Sequence, residues 1–493
     1  MMEKHRYYDV PGDTYPLHLL DDTKFNRDCV SWCMRFNDVL DAEILRDSLS
    51  ELLDMGNWRK LGGRLRTKAN RKQPNGKLEI HVPYEFTHDN PAVAFTHDTF
   101  DMRIEEHPVV ARMPQPTRGP STQPISTNDF RSFAASPYHP LTLEEMIHQN
   151  APPIFLHVTS FKDATLVALS WPHVLIDEMA HAELLRAWSL ILAGREEDVP
   201  DVLGVQRDVL DGVGASDEAG RGLDQKRLKG MAKTKVLSRN LWERVFNPSW
   251  EMRAIFLPKE AFARLRLRIT REIESSYPGG GAVPSVSDGD VLTAWITRAM
   301  TASLPKPRPI TILTFSNARF RLPSLFDDEG VYLQNLMLGV YTFLSVDMAR
   351  GPLGPIALSH RKHLDDQNSE AQTKSLLNSW RHDIESTGSP SLFYGEPQGS
   401  VMLVNNLNKA ELIKAAKFGP AVIKQGDEVT ARKNPPGRMV TYYIHSLGST
   451  WNALNCLWML GKDHGGNYCL QANLLPKAWA AIEEDIRDMS III

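Results

Sequence analysis

The stretch ATLVALSWPHVLIDEMAHAELLRAWSLILAG, residues 164–194, contains a change of pattern that decides how this part of the chain folds. It begins with an apolar run that is rich in strand-forming residues. After His173, apolar residues recur with helical spacing, at Leu184, Leu185, Trp188, Ile191 and Leu192. Gly194 stands where helices commonly end. We therefore predict a strand, a short turn that carries His173, and a helix.

His173 lies at the junction of the predicted strand and helix, a position that commonly directs a side chain into a cleft. Pro172 restricts the backbone just before it. A neutral imidazole, with an ordinary pKa of about 6.5, is suited to accept a proton near neutral pH. His173 can therefore be a general base, a metal ligand or a histidine that only packs, and the local sequence leaves these alternatives open.

Metal and nucleophile chemistry find little support in the sequence. Asp177 and His181 follow His173 on what could be one helical face, but the chain has no HExxH pattern and no carboxylate-rich box. It also lacks the GxSxG pattern of a serine nucleophile. We expect no metal site.

The bulk composition indicates a globular protein with two large domains. The chain has 493 residues, of which 42% are hydrophobic and 24% charged, and its formal net charge is −4. A small negative net charge does not attract nucleic acid or an anionic membrane to the protein as a whole. The first residues lack the apolar run of a secretory signal, and four cysteines are too few for a disulfide scaffold. We expect reduced thiols and a cytoplasmic location.

Strand and helix patterns alternate on both sides of a polar, poorly periodic segment that begins near residue 200. We predict an N-terminal domain over 1–199, a crossover linker over 200–250 and a C-terminal domain over 251–493. Each domain is expected to be an α/β layered unit of similar build. A segment rich in proline, serine and threonine, 108–128, is interpreted as a mobile loop.

The motif HVLID, following FKDATLVALSWP, resembles the HxxxD motif of the BAHD acyltransferases, particularly their fungal branch. HxxxD alone is a weak pattern, but further matches follow the family order. They are LRDSLSELLDMGNWRKLGGRLR (45–66), SVSDGDVLTAWITRAM (285–300), NARFRLP (317–323) with YLQNLMLGVYT (332–342), and VNNLNKAELIKAAKFGPAV (404–422).

This resemblance implies two chloramphenicol-acetyltransferase-like domains, each a mixed sheet with flanking helices, joined by a long crossover and separated by a channel. It implies a monomeric acyltransferase without a permanent cofactor. An acyl-CoA, acetyl-CoA above all, would be the co-substrate, and a small-molecule alcohol or amine the acceptor. His173 would be the general base. Asp177 would have a structural role, with Arg319 or Arg321 as its partner.

The chain departs from the family pattern at three places. Glu178 replaces the glycine that usually follows the motif aspartate. Lys417 replaces the aspartate of the DFGWG box, so Arg319 must find another carboxylate or remain solvated. Asn406 and Asn408 stand where the family often has a threonine and a tryptophan. We take Asn406 as a candidate oxyanion donor, or as part of a turn.

Two other functions remain open. A condensation-type amide or ester synthase would require HHxxxDG, but Pro172 replaces the first histidine. A non-catalytic ligand-binding protein on the same scaffold is suggested by Lys417 and Glu178. A basic run in the crossover, KRLKGMAKTKVLSR (226–239), is a candidate contact for the CoA phosphates or a solvated linker.

Overall fold

The computed structural model describes residues 10–70, 73–126, 128–214, 221–246, 250–276, 284–326, 329–426, 434–448 and 455–490. The strands are β1 (Gly12–Pro16), β2 (Cys29–Phe36), β3 (Val39–Leu40), β4 (Arg64–Asn70), β5 (Gln73–Pro83), β6 (Val93–Thr99), β7 (Ser121–Pro124), β8 (Ile154–Ser160), β9 (Thr165–Pro172), β10 (Asp201–Leu203), β11 (Glu251–Leu257), β12 (Ile310–Asn317), β13 (Gly330–Tyr332), β14 (Met337–Leu344), β15 (Ser400–Asn406), β16 (Val422–Lys424), β17 (Met439–Ser446), β18 (Asn455–Lys462) and β19 (Tyr468–Leu474).

The helices are α1 (Ala42–Leu52), α2 (Arg131–Ala134), α3 (Leu143–His148), α4 (Glu178–Leu192), α5 (Arg221–Asp224), α6 (Gly230–Phe246), α7 (Lys259–Ser275), α8 (Asp288–Ser303), α9 (Val346–Arg350), α10 (Leu353–Gln367), α11 (Glu370–Thr387), α12 (Leu412–Ala415) and α13 (Pro476–Ser490). The strand and helix predicted around His173 are therefore confirmed as β9 and α4. Asp41 and Ser287 cap helices α1 and α8, since each side chain accepts a hydrogen bond from a first-turn N–H.

Two mixed sheets form the centre of the fold. One has five strands in the order β17-β2-β9-β8-β6, and the other has seven in the order β14-β12-β15-β18-β19-β11-β7. Each combines parallel and antiparallel pairs: β6 runs parallel to β8, and β12 runs parallel to β15. The predicted fold class, α/β with mixed sheets and flanking helices, is confirmed.

The two halves of the chain exchange strands. Strand β17, from the C-terminal half, pairs with β2 along the edge of the five-stranded sheet. Strand β7, from the N-terminal half, pairs with β11 along the edge of the seven-stranded sheet. Each sheet is thus completed by a strand that is far away in the sequence.

Two segments contain more regular structure than the sequence indicated. The segment 108–128 was interpreted as a mobile loop, but it contributes β7 to the larger sheet. The predicted linker, 200–250, contains α6, because a polar surface helix can form from good helix formers without strong apolar periodicity.

The apolar core lies on the faces of these two sheets. One cluster of buried side chains packs helices α1 and α4 against the five-stranded sheet, and a second packs α7, α8, α10 and α13 against the seven-stranded sheet. All four cysteines are buried, free thiols, and burial raises the pKa of Cys29 and of Cys33 to about 12. Over the described residues, we find no helix with the length and hydropathy needed to cross a bilayer.

Candidate active site

His173 is held in a tight turn between β9 and α4. Its backbone N–H donates to the carbonyl oxygen of Asp28, over 2.9 Å, and the N–H of Leu175 donates to the carbonyl of Pro172. The indole of Trp171 donates to the carbonyl of Ile176, over 3.3 Å. These bonds fix the backbone on both sides of His173, so the ring can vary only through its own rotamer.

Asp177 ends this turn and caps α4. Its Oδ1 accepts from the N–H of Ala180 at 3.0 Å. Its Oδ2 accepts from Arg319 at 2.7 Å, from the amide of Asn317 at 3.1 Å and from the N–H of Leu336 at 3.1 Å. The Asp177 side chain is fully buried, and these donors satisfy its charge. This arrangement supports the structural role predicted for Asp177 and Arg319.

Arg319 has therefore found a carboxylate other than the one that the DFGWG box would have supplied. Its second terminal nitrogen donates to the carbonyls of Tyr332 and Gln334, at 2.6 and 3.0 Å. Lys417 has an exposed side chain, and its backbone N–H donates to Ser189 at the far end of α4. The substitution at Lys417 thus leaves the Asp177–Arg319 pair intact.

The ring of His173 is oriented by Asn335. The Asn335 amide nitrogen donates to Asp21 Oδ1 at 3.0 Å and to the carbonyl of His173 at 2.9 Å, and both of these atoms can only accept. The amide oxygen therefore faces His173 Nδ1, at 3.1 Å, and Nδ1 must carry the proton that it donates. The tautomer set by this network leaves Nε2 as the unprotonated nitrogen.

The surroundings of His173 keep the imidazole neutral. Burial lowers the pKa of His173 below its ordinary value, although its own carbonyl, the charge of Asp177 and the hydrogen bond to Asn335 oppose the shift. At neutral pH the ring can therefore accept a proton.

His181, which follows His173 by eight residues, does not lie beside it in the site. Its ring packs between Trp32 and Trp171, whose ring centroids are 4.7 and 4.5 Å from its own.

His173 opens into a cavity of about 420 Å³ between the two sheets. Trp32, Met252, Ile444 and Trp458 give the cavity apolar walls, and polar side chains that include Asn128, Arg131, Asn405 and Gln471 line the rest. Its size and mixed lining suit a small molecule that has an apolar body and polar groups. Trp32 and Trp458 line this cavity, whereas Trp171 is buried in the core.

The structure brings Asn405, not Asn406, into the cavity with His173. Residues of β15 alternate between its two faces, so Leu403 and Asn405 face the cavity. Asn406 points towards α8, where a Cβ on Gly289 would lie 2.5 Å from its amide nitrogen. The oxyanion candidate predicted from sequence therefore lies one residue away from the position that shares the cavity.

A second recess, of about 640 Å³, is lined by more basic than acidic side chains, and we call it the basic cleft. Arg361 and Lys462 in this cleft pair with the acidic first turn of α8. Burial, and after it the charge of Arg361, lowers the pKa of Arg321. Burial, and after it the charge of Arg321, lowers the pKa of Lys409. The basic cleft thus holds positive charge that an anion would stabilise.

Glu178 and Phe315 line both the cavity and the basic cleft, so the two spaces meet at these side chains. Glu178 is the first residue of α4, and its side chain is largely buried. The departure from glycine at this position therefore places a carboxyl group within the site, rather than only altering the turn.

Sequence reasoning missed Asn335 and Asn405 as site residues. Asn335 belongs to a segment that carried the family resemblance, and a polar residue two positions before the apolar strand β14 was a signal for it. The sequence carried no signal for Asn405, since both faces of the strand 400–406 are apolar, with Val401 and Leu403 on one and Met402 and Val404 on the other.

The chain is similar to known acetyltransferases over nearly its full length. It is 35% identical over 481 residues to the acetyltransferase pyiB of Pyricularia grisea, covering 96% of this chain and 94% of that protein. It is 34% identical over 500 residues to the O-acetyltransferase PaAT-2 of Phomopsis amygdali, covering 97% and 99%. A search of family models finds no match.

Among solved structures, the fold is similar to that of F. graminearum TRI101 complexed with coenzyme A and T-2 mycotoxin. The TM-score is 0.67, the sequence identity is 14%, and the similarity covers 96% of this chain and 97% of the other. Because the sequence identity is only 14%, this similarity bears on the fold alone.

Proposed function

Because this chain belongs to the BAHD acyltransferase family, in its fungal branch, we propose that His173 is the general base with which it acetylates a hydroxyl group of a small secondary metabolite. The enzyme is a CoA-dependent acyltransferase. The observation that carries the proposal is the hydrogen bond from His173 Nδ1 to Asn335, which leaves Nε2 free to accept a proton inside a cavity of substrate size.

The reaction needs no acyl-enzyme. His173 Nε2 takes the proton of the acceptor hydroxyl as its oxygen attacks the thioester carbonyl carbon. A tetrahedral oxyanion forms, for which the amide of Asn405 is a candidate donor in place of Asn406. The carbon–sulfur bond then breaks, and the imidazolium returns the proton to the CoA thiolate.

The acceptor and acyl-CoA are proposed to enter from different sides. The cavity with its tryptophan walls suits the acceptor. The basic cleft suits the phosphates of CoA. Burial and, after it, the charge of Arg361 lower the pKa of Arg321, burial and then the charge of Arg321 lower the pKa of Lys409, and a phosphate would relieve this repulsion. The pantetheine arm would then reach His173 past Glu178 and Phe315, where the two spaces meet.

The general base is tested with His173→Ala. A positioned base contributes on the order of 10²–10⁴-fold to the rate, so kcat should fall by that factor. The assay is thiol release from acetyl-CoA with a panel of fungal alcohols, with products identified by mass spectrometry and folding checked by circular dichroism. On the acid side, the rate of the parent enzyme should not decline until the pH falls below 6.5, because the pKa of His173 is lowered and the base is lost on protonation.

Unchanged turnover in His173→Ala would overturn the mechanism. A parent enzyme that turns over no alcohol and binds no acetyl-CoA would instead favour the non-catalytic ligand-binding protein on the same scaffold.

The CoA site is tested with Arg321→Ala. Loss of a hydrogen bond to a charged group costs about 1.5–3 kcal/mol, so KM for acetyl-CoA should rise roughly tenfold to hundredfold with little change in kcat. The matched control is Lys233→Ala in the basic run of the crossover, which lines a separate cavity with Lys24 and Lys229. A rise in KM for Lys233→Ala alone would place the phosphates at the crossover instead.

The four buried thiols suit a reducing compartment, and we propose that the enzyme works in the cytoplasm as a monomer. Sedimentation equilibrium gives the mass of the protein in solution, and the mass of a dimer would contradict the proposed monomer.

A further inference from the structure

Glu178 occupies the place where the two substrates must meet. It lines both the cavity that contains His173 and the basic cleft. Phe315 shares this position, but it has no polar group to offer. If the CoA arm runs through the basic cleft, as proposed above, the thioester comes to rest beside the Glu178 carboxyl and His173.

The charged and titratable groups around Glu178 come from several elements. Asp177 precedes it, Arg319 follows β12, Tyr442 lies on β17, and His173 lies in the turn. Asp177 accepts four hydrogen bonds, one of them from Arg319, and so holds the negative charge. Burial and, next, the charge of Asp177 raise the pKa of Glu178 to about 8. At neutral pH its carboxyl is therefore protonated and can donate.

We propose that Glu178 is a further catalytic residue, whose carboxyl O–H donates a hydrogen bond to the carbonyl oxygen of the acyl-CoA thioester. The inference rests on the proposed function and assigns a role to the one motif position where this chain has an acid in place of glycine. A neutral acid in a low-dielectric site can stabilise charge that develops on oxygen without bringing in a negative charge.

The step balances with the proton remaining on Glu178. The acceptor oxygen forms its bond to the carbonyl carbon as His173 removes the hydroxyl proton. The carbonyl oxygen becomes the oxyanion and accepts the hydrogen bond from Glu178, together with that from Asn405. When the carbon–sulfur bond breaks, the carbonyl re-forms, and the imidazolium protonates the departing thiolate. The products are the acetyl ester and CoA.

Infrared spectroscopy of bound acetyl-CoA tests the contact without an acceptor. The probe is acetyl-CoA labelled with ¹³C at the carbonyl, measured as the difference between labelled and unlabelled complexes. The carbonyl band should lie at lower wavenumber in the parent enzyme and in Glu178→Gln, which keeps a donor, than in Glu178→Leu. Glu183→Leu is the matched control, since Glu183 lies on the same helix, pairs with Arg186 and lines neither space. It should reproduce the parent band.

The pH profile supplies a second readout. Because the Glu178 carboxyl donates only while protonated, kcat of the parent should fall as pH rises through about 8. Glu178→Gln should lack this alkaline decline, and Glu178→Leu should lose on the order of 100-fold in kcat, the effect of removing one oxyanion donor.

The outcomes separate the two proposals. Acetyl-CoA that binds with the same carbonyl band in the parent and in Glu178→Leu overturns the role of Glu178 and leaves His173 as the base. Absence of acetyl-CoA binding in calorimetry overturns the proposed function, and this inference with it.

Discussion

At the scale of single residues, the proposed role of His173 as a base depends on which of its ring nitrogens carries the proton. Asn335 decides this because its amide nitrogen is committed to two acceptors, the carboxylate of Asp21 and the carbonyl of His173. Its amide oxygen is left to accept from Nδ1. Asp21 is fully buried and also accepts from the N–H groups of His18 and Asn335, so it holds the amide in place. Asn335 is thus a positioning residue.

Replacing Asn335 with alanine should lower kcat on the order of 100-fold, near the lower limit of what a positioned base contributes. The physical reason is that Nδ1 loses its acceptor, so the tautomer with the proton on Nε2 becomes populated. ¹⁵N NMR of the labelled histidine reports the tautomer directly. Gln334→Ala is the control, because Gln334 is also buried but bonds to Asp208 rather than to His173.

An unchanged tautomer with an unchanged kcat in Asn335→Ala would remove Asn335 from the mechanism. A loss of activity equal to that in Gln334→Ala would indicate a general effect on folding.

At the scale of elements, the junction of β9 and α4 is stabilised by one carboxylate that serves two purposes. Asp177 caps α4 through Oδ1 and joins that helix to the segment after β12 through Oδ2. The cap is a local interaction that the sequence predicts. The ion pair with Arg319 spans 142 residues and connects the two halves of the chain.

Asp177→Asn should destabilise the protein by about 3–5 kcal/mol, because it removes a fully buried carboxylate and leaves the partly buried guanidinium of Arg319 without its counter-charge. Asparagine is as good an N-cap as aspartate, so the helix itself is unaffected. Calorimetric unfolding measures the loss. Asp41→Asn is the control at the cap of α1, where the carboxylate makes its cap bonds near the surface, and its effect should be within about 0.5 kcal/mol. Equal effects of the two substitutions would show that the charge of Asp177 is dispensable.

At the scale of the whole molecule, the site belongs to neither half alone. Trp32 lies in the five-stranded sheet and His173 in the turn that follows its strand β9, while Asn405 and Met252 lie in the seven-stranded sheet. The exchanged strands β7 and β17 tie the two sheets together and keep the cavity walls in a fixed relation.

The fold also buries several neutral histidines in different parts of the structure, and together they make its stability depend on pH. Burial is the main cause that lowers the pKa of His181 to about 3 and that of three others to about 4, namely His139, His360 and His445. An unfolded histidine binds a proton below pH 6.5, whereas these do not. Stability is therefore greatest above pH 6.5 and falls as the pH is lowered, by about 2 kcal/mol at pH 5 for each histidine.

His181→Leu should raise the unfolding temperature, and more at pH 5 than at pH 7. Neither ring nitrogen of His181 has a hydrogen-bond partner in the described part of the chain, and the ring packs against Trp32 and Trp171. Leucine removes both the unsatisfied polar atoms and the cost of resisting protonation. Calorimetry at the two pH values gives the comparison, and a gain that is the same at both would contradict the argument from protonation.

Much of the fold could be predicted from sequence, because helix and strand periodicity and helix caps are local. β9, α4 and the caps at Asp41 and Ser287 follow from such patterns. The exchange of β7 and β17 could not be predicted, since strand pairing depends on backbone hydrogen bonds between distant segments rather than on the residues within each strand.

What the sequence by itself determined is the set of local elements, the position of His173 in a turn between strand and helix, and the family resemblance on which its proposed role as a base rests. Tertiary structure decided which side chains surround it. It turned the face of β15 that carries Asn405, rather than the face that carries Asn406, towards the cavity. It also placed the amide of Asn335 beside Nδ1 of His173 and Glu178 where the cavity meets the basic cleft. The physical reason is that a strand or helix is specified by neighbours a few residues apart, whereas a catalytic site is built from groups that only long-range packing brings within hydrogen-bond distance.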